Sequence, residues 1–126
     1  VTVEVKTVRE YLGGLTEDRV SDDVVQRWIE MATSQVTAEK SEVAAATVVD
    51  DAVLAIAGHQ VYLAYASKYE RTAGQLPAPM LMNLQIYERF AGYYLGVAMR
   101  GTVGTAPVIG LAKSLITEVR DGNYEV

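Results

Sequence analysis

The stretch DDAVLAIAGHQVYLAYASKYE, residues 50–70, restricts the fold more than any other part of the chain. Asp50 and Asp51 stand where negative charge suits a helix N-terminus, and the periodicity that follows predicts a helix over about 51–72. Val53, Leu54, Ile56, Ala57, Val61, Leu63, Ala64 and Tyr65 cover most of its circumference. Such a helix needs contact on more than one side, so it reads as the centre of a bundle. At 1.5 Å per residue it spans about 33 Å. Its apolar run falls short of the ~20 residues of a membrane span and has His59 and Gln60 at its middle, so burial in protein is expected, with no membrane.

The flanking segments supply the neighbours. SDDVVQRWIEMATSQV (21–36) offers Ser21 as N-cap and Asp22 and Asp23 in the first turn. Val24, Val25, Trp28, Ile29, Ala32 and Val36 then follow helical spacing, predicting an amphipathic helix over about 22–37. Arg27, Glu30 and Gln35 take its other face. TAEKSEVAAAT reads as a loop with a fragment of helix. After TAGQLPAP, where Gly74 and two prolines enforce a turn, Pro79 is placed to start another helix reaching about residue 99. Leu81, Leu84, Tyr87, Ala91, Tyr94 and Leu95 form its expected apolar stripe.

Near the start, TVRE (7–10) has capping-box form, with Thr7 as N-cap and Glu10 reaching back. It predicts a short helix ended by Gly13-Gly14, preceded by an extended VTVEV. The fold class is therefore all-α: a short N-terminal helix plus three longer helices in a small bundle. Residues 1–100 form the helical body, and 101–126 form an extended C-terminal arm. The arm is announced by Gly101, Gly104, Pro107 and Gly110, expected as a hinge. Asp121-Gly122, between β-forming residues, marks a turn near its end.

The chemistry available is narrow. The chain has no cysteine, which removes disulfides, thiolate catalysis and Cys-ligated metal. Its 16 acidic and 11 basic residues give a net charge of −5, with no basic run to hold nucleic acid. VTVEVKTVRE lacks the basic and apolar regions of a signal peptide. GTVGTAPVIGLAKS (101–114) invites comparison with a phosphate loop. Its glycines are misspaced, Leu111 and Ala112 separate Gly110 from Lys113-Ser114, and Pro107 removes an amide. His59, the only histidine, has no nucleophile paired with it by motif, so it reads as an interior or interface residue. The pairs Asp22-Asp23 and Asp50-Asp51 suit helix N-termini better than a metal. No catalytic residue, metal or cofactor is expected, and the chain does not read as an enzyme.

Eight tyrosines against one Phe and one Trp are a lopsided choice. Tyrosine combines large contact area with a hydroxyl for solvent or a partner, which favours interfaces. Tyr62, Tyr65 and Tyr69 recur at helical spacing on one helix, and Tyr87 and Tyr94 on the next. They are candidate subunit-interface residues, with an amphipathic core rim as the equal alternative.

The order VEVKTVREYLG, then VSDDVVQRWIEMATSQV, then the Ala/Tyr-rich DDAVLAIAGHQVYLAYASKYE resembles the head–tail connector (adaptor) proteins of tailed phages and related archaeal viruses. The resemblance covers residues 1–100 as a pattern. It implies a structural virion protein, a small helical subunit assembled in the host cytoplasm into a homo-oligomeric ring, commonly a dodecamer, beneath the portal protein. The ring would extend the DNA channel and present a docking surface to neck or tail-completion proteins. The acidic balance fits DNA passing without sticking. The C-terminal segment would act as an arm contacting the portal, with Leu115, Ile116, Val119 and Tyr124 as apolar contacts, in the manner of strand addition. The alternative from composition alone is a small ligand-binding or regulatory helical bundle with tyrosines lining a pocket.

Overall fold

A computed structural model describes residues 3–101, which form four helices and no strand among them. Helix α1 spans Val5–Tyr11, α2 Asp22–Glu39, α3 Ala46–Ala73 and α4 Ala78–Arg100. The all-α body, one short helix and three long ones, is as the periodicity predicts. The arm beyond 101 lies outside the described residues.

Two helix starts differ from expectation. In α1 the capping box is shifted one turn upstream: Glu4 is the N-cap, and Thr7 is the third helical residue, its hydroxyl accepting the Glu4 N–H at 3.3 Å. Glu4 side chain and Thr7 backbone complete the box, so Thr7 is not the cap and Glu10 does not reach back. Val5 is thereby helical rather than extended. The longer helix places Val8 in the core and carries Tyr11 onto α3. The second shift is in α3, which begins at Ala46, so Asp50 and Asp51 lie beyond its first turn. Burial of Val48 and Val49 draws the preceding segment into the helix, and alanines at 44–46 offer it little resistance.

The stops follow glycine chemistry. Gly13 and Gly14 adopt φ of 84° and 85°, conformations that side chains disfavour, and α1 ends before them. Gly74 (φ 87°) ends α3 and Gly101 (φ 75°) ends α4, each donating its N–H four residues back, to Glu70 and Val97. Pro77 caps α4 and Pro79 sits in its first turn.

Helix α3 is the hub. It packs most extensively on α4, then on α2, and also receives α1, whereas α2 and α4 touch each other little. Val25, Ile29, Ala32 and Val36 of α2 meet the core as predicted. On α4 the buried stripe is rotated from the expected one. Met80, Asn83, Tyr87 and Phe90 are buried, while Leu81 is 47 % exposed. Apolar residues ring much of this helix, and periodicity alone does not choose among overlapping stripes.

Two polar devices tie the body together. Arg9, on α1, donates to the carbonyls of Leu15 (3.0 Å) and Val20 (2.8 Å) and pairs with Asp22 at 2.6 Å. One guanidinium thus gathers α1, the connector and the start of α2. At the other end, Ser41 in the α2–α3 loop donates its N–H to the Ala98 carbonyl at 2.9 Å. That bond satisfies one of the acceptors an α4 terminus leaves unpaired.

Candidate interaction surfaces

The tyrosines divide by depth. Tyr62, Tyr65 and Tyr87 are 5 %, 8 % and 1 % exposed, inside the chain's own core, and so are poorly placed to face another subunit. Tyr69 and Tyr94 are half-buried and keep an outward edge. Ring contacts run in sequence from Tyr11 to Tyr87 (5.5 Å between centroids), Tyr87 to Tyr62 (5.2 Å), Tyr62 to Tyr65 (5.7 Å) and Tyr65 to Tyr69 (6.4 Å). Tilted and edge-on geometries dominate, as ring quadrupoles prefer. These rings pack directly on one another.

The polar ends of this chain are unevenly served. Asn83, buried in α4, donates to the Tyr62 hydroxyl at 3.1 Å. Arg19 donates to the Tyr65 hydroxyl and lies 5.6 Å from that ring's centroid. The Tyr11 hydroxyl is buried without a hydrogen-bond partner among the described residues. Burial, with Tyr87 and Tyr94 nearby, raises the Tyr11 phenol well above its ordinary range. Burial also raises Tyr62, partly offset by the Asn83 bond.

His59 is half-buried on α3, and burial lowers its pKa, partly offset by Glu88 of α4. Among the described residues no group of three or more His, Cys, Asp or Glu side chains is placed to hold a metal ion. Two open recesses flank the α1–α2 connector. The larger, about 580 Å³, is lined by Arg9 and Asp22, which are already bonded to each other. The smaller, about 430 Å³, has Arg19, Lys68 and Arg71 on its wall beside Glu17 and Asp18. A hydrogen bond from Thr16, then the Asp18 backbone, lowers the Asp18 pKa, and Arg19 and Lys68 add to the effect.

Gly101 is the one expected hinge residue within the described region. It is a helix stop pressed against the α2–α3 loop: a Cβ there would lie 2.8 Å from Val43 Cγ2 and 3.0 Å from Ser41 Oγ. Gly101 therefore ends α4 in close contact with that loop. Gly104, Pro107 and Gly110, and the arm residues Leu115, Ile116, Val119 and Tyr124, lie outside the described residues.

The outward surface carries exposed apolar side chains, and Leu63 and Leu81 among them were expected on apolar faces. Met31 on α2 is 52 % exposed, and Leu81, Met82 and Met99 on α4 are comparably open. Leu63 of α3, assigned above to an apolar face, is 40 % exposed. Exposed charge neighbours mark Met31 in the sequence, but Leu81 and Met99 carry no local signal of exposure. No helix among the described residues is long and apolar enough to cross a membrane. No protein-family model, curated protein or solved structure matches the chain.

Proposed function

We propose that this chain is a structural assembly protein rather than an enzyme: an adaptor subunit of a virion head–tail connector ring that docks to a portal protein. In this reading the ring extends the DNA channel and offers its far side to neck or tail-completion proteins. The observation that carries it is the outer surface of the bundle. A small body with a complete core of its own still leaves Met31, Leu63, Leu81, Met82 and Met99 at least 40 % exposed, on three different helices. Dispersed single apolar residues are ordinary on any surface. Here three of the five lie along α4, the helix whose C-terminus leads directly into the segment from 102 to 126. Of these, Met99 lies in the last turn of α4, while Leu81 and Met82 lie near its start, so exposed apolar contact area is available at both ends of that helix.

The test is the mass of the purified chain in solution, its appearance by negative-stain electron microscopy, and its binding to portal protein. Rings and portal binding are expected, and deletion of 102–126 should abolish portal binding while leaving the helical circular-dichroism spectrum intact. A strict monomer that ignores portal at high concentration overturns the reading.

A further inference from the structure

The smaller recess beside the α1–α2 connector gathers three cations from two parts of the chain. Arg19 comes from the connector, while Lys68 and Arg71 come from α3, where they share a helix face with Ala64. All three are exposed, and none forms an ion pair with a carboxylate among the described residues. Like charges gathered in this way repel one another, and an anion seated between them relieves the repulsion. Arg19 is also held in place. Its guanidinium donates to the Tyr65 hydroxyl and lies 5.6 Å from that ring's centroid, which leaves the rest of the planar fork to donate elsewhere. Ser21, on the same wall, caps α2 without a side-chain hydrogen bond. Val20, Val24 and Ala64 supply the apolar part of the lining.

From this convergence we infer that the recess binds a terminal phosphate group, with Arg19, Lys68 and Arg71 supplying charge and Ser21 a hydroxyl. The site needs neither a second copy of the chain nor a portal, so it stands apart from the assembly reading above. A phosphate monoester carries a charge of about −2 and three terminal oxygens, which matches three cationic groups better than a carboxylate does. The recess, about 430 Å³, is larger than a phosphate alone, and its apolar lining leaves room for the group the phosphate is attached to. A nucleic-acid strand fits poorly. Its neighbouring phosphates would meet Glu17 and Asp18 on the same wall, and Asp22 and Asp23 directly after Ser21.

The experiment titrates the isotope-labelled full chain with inorganic phosphate, phenyl phosphate and the diester dimethyl phosphate, followed by amide shifts. Ionic strength is held constant, with sodium chloride as the control. Saturable shifts are expected at 19–24 and 64–71, and the singly charged diester should bind about tenfold more weakly than phosphate. Phenyl phosphate binding more tightly than inorganic phosphate assigns the site to an organic monoester, and equal binding assigns it to phosphate itself. Lys68→Gln and Arg71→Gln, with circular dichroism checking the fold, should each weaken phosphate binding about threefold, and together about tenfold. Glu17→Gln removes a negative charge from the same wall and should strengthen binding about twofold. Phosphate that shifts these amides no more than chloride does overturns the proposal. So do Lys68 and Arg71 variants that bind as the parent does, or a diester that binds as tightly as phosphate.

Discussion

Tyr11 occupies the space that any side chain at position 58 would need: a Cβ placed on Gly58 would sit 2.6 Å from Cε2 and 2.7 Å from Cδ2 of the Tyr11 ring. The missing side chain on α3 is what lets α1 dock so closely. In an unencumbered helix, replacing Gly by Ala gains about 1 kcal/mol. At position 58 the sign should reverse. Gly58→Ala is expected to cost about 2 kcal/mol, since overpacking a filled site forces ring or backbone to move. Gly92→Ala, where a Cβ meets nothing within 4 Å, is the control and should stabilise by about 0.5–1 kcal/mol. Urea unfolding of the two variants checks both signs.

The same tyrosine carries a buried hydroxyl without a hydrogen-bond partner among the described residues. Removing such a group relieves a desolvation cost of about 1–3 kcal/mol. Tyr11→Phe should therefore hold or raise stability at neutral pH. Its effect should grow in alkali, because a phenol raised in the fold ionises more readily once unfolded. Stability falls as pH climbs past the ordinary value of 10.0, and Tyr11→Phe should lessen that fall. Thermal melts at pH 7 and above 10 provide the measurement.

Arg9 makes two carbonyl bonds and an ion pair from a side chain only 16 % exposed. Arg9→Ala strands the Leu15 and Val20 acceptors and should cost about 2 kcal/mol. Arg9→Lys keeps the charge but lacks the planar fork, and should recover less than half of the loss. The exposed Lys6–Glu10 pair is the contrast: its removal should change stability by less than about 0.5 kcal/mol. Denaturant midpoints compare the three.

His59 should make the fold sensitive to mild acid. Burial lowers its pKa below the ordinary 6.5, so the unfolded chain takes up a proton first as pH falls. Stability attributable to this group is full above about 6.5 and declines as pH drops through that value toward the lower folded pKa. His59→Gln should flatten this part of the stability–pH profile between pH 7 and 5, measured by chemical denaturation in buffers of matched ionic strength.

Four helices, their order and most of their ends were legible locally. Gly13-Gly14, Gly74 with its prolines, and Gly101 each act on their own backbone, so the stops need no tertiary information. The core stripe of α2 was legible because its apolar and charged residues separate cleanly. Other features depend on what lies across the contact. Glu4 rather than Thr7 caps α1 because the extra turn places Val8 in the core and carries Tyr11 onto Gly58. Ala46 rather than Asp51 opens α3 because Val48 and Val49 find a core to enter. Leu81 and Met99 are indistinguishable in sequence from buried residues, whereas Asn83 is buried by the partner hydroxyl of Tyr62 across the helix interface.

The sequence by itself determined an all-helical body over the described residues, with an apolar central helix, since helical periodicity and glycine punctuation are properties of neighbours along the backbone. Only the tertiary structure decided which tyrosines lie inside, which face of α4 points outward, and that Gly101 is wedged against the α2–α3 loop. The physical reason is that burial belongs to pairs of surfaces. Repeating spacing marks a face on one helix, but depth is set by the helix that packs against it.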